Sequence, residues 1–155
     1  MFLFNIFTPS EIDNEPVAIN LNKYLGKWYE IARFDHGFER DMEKVTAEYN
    51  LLPNGYIQVI NAGYRDGEFK ETIGKAKATN TSGLLRVSFF MNFYSDYRVL
   101  MIDEDYNYAL VGSKSAKYLW ILSRTSQLDE STLQKIIDVA KQKGYDTDKL
   151  IFVEQ

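Results

Sequence analysis

Apolar and polar positions alternate with a period of two along most of this chain. The most informative run is Gly26-Lys27-Trp28-Tyr29-Glu30-Ile31-Ala32-Arg33-Phe34. Successive side chains of a strand face opposite sides. Trp28, Glu30, Ala32 and Phe34 therefore share one face, and Tyr29, Ile31 and Arg33 the other. Both faces carry large apolar groups, which predicts a strand buried on one side by a barrel interior and on the other by a helix. The same period predicts strands over 44–52, 56–64, 68–79, 84–90, 97–102, 107–113 and 117–124. Pro53-Asn54-Gly55 and Asp66-Gly67 between them are turns, because proline fixes one corner and Asn or Gly accepts positive φ.

One stretch breaks the pattern. Leu133, Ile136, Ile137 and Ala140 recur at helical spacing, with Asp129 as N-cap and Gly144 as the C-terminal stop. Residues 21–25 read as a short helical turn, residues 1–20 as an irregular arm, and 150–153 as a last edge strand. Eight meandering strands followed by a helix and an edge strand predict an all-β fold. It is an eight-stranded antiparallel up-and-down barrel with one C-terminal α-helix outside, in a single domain over 21–155. The second aromatic strand ends on Arg124. A guanidinium laid over the Trp28 indole would close the barrel base, with Gly26 allowing a sharp entry.

Composition narrows the chemistry. A net charge of −4 argues against a nucleic-acid surface. The absence of cysteine removes disulfides, thiolate metal sites and a cysteine nucleophile, and the single histidine, His36, leaves little for catalysis, metal or cofactor. The run Asp103-Glu104-Asp105 reads as a solvated turn rather than a metal site. The apolar start, Met1 to Phe7, is too short to span a bilayer and has no basic residue before it. It reads as an arm packed on the barrel or on a neighbouring molecule.

Gly26-x-Trp28, Asp105-x-x-Tyr108-Ala109 and Arg124 after an aromatic strand resemble the three sequence blocks of the lipocalins. The runs 25–40, Val59-Ile60-Asn61-x-Gly63-Tyr64, Val87-Ser88-Phe89-Phe90 and 118–125 resemble the bacterial lipocalin and apolipoprotein D branch. With the parity of Trp28, this resemblance implies an inward face. It includes Met101 and, as candidate ligand contacts, Glu30, Ala32, Phe34, Ala47, Tyr49, Val59, Asn61, Gly74, Ala76, Val87, Phe89, Tyr97, Val99, Tyr118 and Trp120. Gly74, Ala76 and Ala47 are small, which suggests room inside. Trp28, Gly26 and Arg124 are expected to be structural. Glu30 is expected to pair with a tyrosine hydroxyl or a water, and His36 to be solvated beside a loop over the mouth.

The resemblance implies binding, transport or storage of a small hydrophobic ligand such as a fatty acid or lysophospholipid. The head group would sit at the mouth near Arg40 or Lys44. An enzyme on the same fold is the second reading. It lacks the cysteine nucleophile of the lipocalin prostaglandin synthases, and no Ser-His-acid set forms unless His36 joins one. A non-catalytic interaction protein with a filled barrel is the third. A membrane-surface association and a monomeric or homodimeric state are both compatible with the sequence. The resemblance points to the cell envelope, periplasm or outer membrane. The missing lipoprotein cysteine and signal peptide leave a soluble cytoplasmic form open.

Overall fold

A computed structural model of the chain describes residues 11–37, 39–89 and 93–155. The apolar start and the segment around Phe90 predicted as strand end lie outside or at the edge of these. A short helix α1 (Leu21–Tyr24) precedes β1 (Gly26–Phe34). The meander continues through β2 (Glu43–Leu51), β3 (Ile57–Arg65), β4 (Glu68–Ala78), β5 (Leu84–Ser88), β6 (Ser95–Ile102), β7 (Tyr108–Gly112) and β8 (Leu119–Ser123). Helix α2 (Glu130–Gln142), a 3-10 turn (Thr147–Lys149) and β9 (Leu150–Phe152) complete it. Neighbouring strands pair antiparallel in chain order, and β1 pairs with both β8 and β2, so the eight strands close on themselves.

Two apolar clusters lie on opposite sides of the wall. The inner one holds Tyr24, Trp28, Ala47, Tyr49, Ile57, Val59, Ala76, Leu85, Val99, Ala109, Val111 and Leu122. The outer one joins Ile31, Ala32, Phe34, Leu100, Leu110, Leu119 and Ile121 to Ile136 and Ala140 of α2. Helix α2 forms where its apolar stripe meets this wall, and the Asp129 carboxylate caps it by accepting from the Thr132 amide at 3.1 Å.

The face of Ala32 and Phe34 corrects the strand reading. The pairing of β1 with β8 slips by one residue between Glu30 and Ala32: Glu30 faces Leu122, Ala32 faces Ile121, and Arg33 faces Trp120. A bulge of this kind reverses every side chain beyond it. Ala32 and Phe34 consequently join the helix-side cluster, and Arg33 turns to the side of Trp120. A second slip between Val99 and Met101 moves Met101 to the outer cluster while Val99 stays inside.

Beyond the first bulge β1 changes neighbour. Its first half pairs with β2, and its second half, from Ala32 to Phe34, pairs with β9. The split frees backbone carbonyls of Glu30 and Val45. The Gln155 carboxamide donates to both, at 2.7 and 2.9 Å.

At the opposite end the base is shut. The Arg124 guanidinium lies 3.7 Å from the Trp28 ring centroid. It donates to the carbonyls of Lys23, Tyr24, Leu25, Lys27 and Tyr106, so α1, β1 and the β6–β7 turn are tied to one side chain. Gly26 has φ +99°, and a Cβ there would stand 3.4 Å from Arg124 Nη1. Trp28 Nε1 donates to the Tyr24 carbonyl at 2.8 Å. Arg124→Ala removes the stacking and leaves several carbonyls without a donor. It should cost about 2–4 kcal/mol in chemical denaturation. A loss below about 0.5 kcal/mol, the range of an ordinary surface substitution, would contradict this account of the base.

Candidate functional site: the barrel cavity

A cavity of about 440 Å³ occupies the barrel above the closed base. Its apolar wall is Ala47, Val59, Val87, Phe89, Val111 and Leu122, contributed by β2, β3, β5, β7 and β8 and the residue after β5. These side chains point inward because every second residue of a strand must. Glu30, Tyr49, Asn61, Tyr97, Tyr118 and Trp120 line it as well. Five other candidates are placed elsewhere. Ala32 and Phe34 face α2, as described. Ala76 and Val99 are fully buried in the inner cluster away from the cavity wall. Gly74 offers no free space: a Cβ there would stand 2.6 Å from the Phe89 ring, so phenylalanine already fills that room.

The floor is aromatic. Tyr24 packs on Trp28 with ring centroids 5.1 Å apart. Its hydroxyl lies 2.5 Å from that of Tyr97, and the Tyr49 hydroxyl donates to Tyr97 at 2.9 Å. Burial pushes all three phenols above their ordinary range, so they stay protonated.

The mouth carries a polar cluster that the sequence reading did not assemble. In the loop after β1, Glu39 is buried against His36. His36 Nε2 is 2.8 Å from Glu39 Oε1, and Trp120 Nε1 donates to the same oxygen at 3.2 Å. Arg33 donates to the Glu39 carbonyl at 2.6 Å and to Glu30 Oε1 at 3.4 Å. His36 is half-buried, with its ring edge-on to Tyr118 and Trp120, rather than solvated. Tyr118 stacks on Trp120 at the rim. Glu30 is thus held by Arg33 and Glu39, where a tyrosine or water was expected. Arg40 pairs with Asp35 at 3.1 Å, and neither Arg40 nor Lys44 lines the cavity. Loop residues give no periodic signal, so Glu39 was not legible; Arg33 was hidden by the bulge.

The two carboxyls are driven apart. Burial, then the neighbouring Glu39, pushes Glu30 well above the ordinary carboxylate range, against the pull of Arg33. Burial also acts to raise Glu39, but hydrogen bonds from His36, from the Glu30 carboxyl and from Trp120 outweigh it and hold Glu39 below that range. Of the two, Glu30 is therefore the one that keeps its proton to higher pH. A group whose pKa is raised by folding stabilises the fold below its unfolded pKa and loses that contribution as pH rises through the folded value. Wild-type stability should therefore decline from the ordinary glutamate range upward through the raised value of Glu30. Glu30→Gln mimics the protonated acid, so denaturation midpoints measured across that window should lose this slope. A slope identical to that of wild type would remove Glu30 as its source.

Comparison with known proteins gives the family. A family model described as a lipocalin-like domain matches residues 19–155. The outer membrane lipoprotein Blc of Vibrio cholerae is 49% identical over 147 residues, covering 91% of this chain and 86% of that protein. Apolipoprotein D of Cavia porcellus is 36% identical over 155 residues, covering 92% and 81%. The structure of insecticyanin from the tobacco hornworm Manduca sexta superposes with a TM-score of 0.76 at 21% identity, covering 94% of this chain and 86% of that one, a likeness of fold. The lipocalins bind small hydrophobic ligands and are in general not catalysts. With its closed barrel, external helix and Trp28–Arg124 base, this chain belongs to the lipocalin family, in the branch of the bacterial lipocalins and apolipoprotein D.

Proposed function

We propose that the barrel binds one single-chain lipid, a fatty acid, a lysophospholipid or a similar molecule, and serves to carry or store it without catalysis. The observation that carries this reading is the cavity itself, about 440 Å³ and walled largely by apolar side chains. Ligand pockets run from roughly 300 to 1,000 Å³, so this one suits one acyl chain better than two. Each methylene it buries contributes about 0.8 kcal/mol, enough to hold a long chain with no charged contact. Ala47, Val59, Val87 and Phe89 are the apolar contacts. Asn61, Tyr49 and Tyr97 are the orienting ones, and Tyr118 and Trp120 guard the rim. Glu30 is occupied by Arg33 and Glu39, which makes it a wall group more than a ligand contact. An open cavity of this size disfavours a filled barrel built only for protein interaction. Relatives that include an outer membrane lipoprotein and an apolipoprotein favour a place beside lipids in the cell envelope.

The test is a titration of delipidated protein followed by tryptophan emission. Lysophospholipid should bind at least about tenfold more tightly than a diacyl phospholipid with the same head group, because the second chain finds no cavity. Trp120 lines the cavity and Trp28 is fully buried beneath the floor, so the blue shift on binding should come from Trp120. Trp120→Phe should abolish most of it, in protein shown by circular dichroism to keep its fold. Equal affinities for the two lipids, or a full spectral response without Trp120, would defeat the reading.

A further inference from the structure

The polar groups of the cavity differ in what they have left to offer. At the mouth, Glu39 accepts from His36 and Trp120, and Arg33 donates to the Glu30 carboxyl and to the Glu39 carbonyl. Those groups are engaged with one another, and the one Arg33 donor without a partner, Nε, belongs to a residue that does not line the cavity. The floor is different. Three phenol hydroxyls meet there, but only two hydroxyl contacts join them, Tyr24 with Tyr97 and Tyr49 with Tyr97. Three O–H donors over two contacts leave one proton without an acceptor among the described residues.

Which proton it is follows from burial. Tyr49 donates to Tyr97. If Tyr97 in turn donated to Tyr24, the Tyr24 proton would be orphaned on a fully buried side chain that does not line the cavity, a costly arrangement. If instead Tyr24 also donates to Tyr97, the spare proton belongs to Tyr97, which does line the cavity. A hydroxyl that accepts two hydrogen bonds is polarised by them and becomes a better donor itself.

We infer that the Tyr97 hydroxyl is a donor held at the cavity floor for the leading end of the ligand, and that the lipid enters polar end first, carrying an uncharged acceptor such as a protonated carboxyl or an ester carbonyl. This rests on the single-chain reading and narrows it. A lysophospholipid must keep its charged head at the mouth and leaves Tyr97 without an acceptor, so fatty acids and carbonyl lipids should outrank it. Asn61 lies opposite Ala47, two residues along β3 from Val59, which faces Tyr49, so it stands along the path of the chain rather than at its end.

Two hexadecanoic acids, brominated at carbon 2 or at carbon 16, separate the orientations. Bromine quenches an indole it touches, and Trp120 stands at the rim beside Tyr118 and His36. Polar-first entry brings carbon 16 to Trp120, so the 16-bromo acid should quench more strongly than the 2-bromo acid in the unaltered protein. In parallel, Tyr97→Phe should weaken binding of unlabelled hexadecanoic acid about tenfold, the loss of one hydrogen bond. Stronger quenching by the 2-bromo acid, or unchanged hexadecanoic acid affinity in Tyr97→Phe, overturns the inference while leaving single-chain binding intact. Failure of the unaltered protein to bind either acid or lysophospholipid overturns the single-chain reading and this inference with it. The bromine comparison needs no variant, so it decides the orientation even if Tyr97→Phe does not fold.

Discussion

One strand has to serve two cores, and a single inserted residue lets it. Between Glu30 and Ala32 the ladder of β1 slips against β8. Before the slip, Trp28 and Glu30 face the barrel interior; after it, Ala32 and Phe34 face α2. The same slip carries Arg33 to the side of Trp120, within reach of Glu30 and Glu39. Without it, a guanidinium would face the apolar stripe of the helix and a phenylalanine would stand where the mouth now has its cation. The bulge also marks where β1 leaves β2 for β9, and Gln155 answers the carbonyls exposed at that parting.

The cavity follows from how charge is settled around it. Burying Glu30, Glu39 and Arg33 would be costly for each alone. Together they pair, and one carboxyl keeps its proton. That leaves an apolar wall from β2, β3, β5, β7 and β8 free of competing charge, above a floor of phenols resting on Trp28 and Arg124. The closed base and the charge-paired mouth define a space open at one end, as suits a molecule that is mostly hydrocarbon.

Much of this was legible because a strand's period is local. Trp28, Tyr49, Val59, Val87 and Trp120 fall inside by simple alternation, and the spacing of Leu133, Ile136, Ile137 and Ala140 marks the helix and its buried face. Alternation cannot reveal a slip of one residue, which leaves no mark in composition. Hence alternation alone places Ala32, Phe34 and Met101 on the wrong face and turns Arg33 outward. Gly74 shows a second limit: a small side chain signals room, but only packing shows that Phe89 fills it. Glu39 and Tyr24 act from a loop and a single helical turn, where position is set by tertiary contacts and no period exists to read.

The central claim is that this barrel exists to enclose one hydrocarbon chain. It is tested most directly by extracting the purified native protein with organic solvent and identifying by mass spectrometry whatever it carries. The account predicts single-chain lipids, with fatty acids or carbonyl lipids foremost, at no more than one molecule per chain. Recovery of two-chain phospholipid in that proportion would contradict it. So would protein that remains lipid-free after incubation with a total lipid extract.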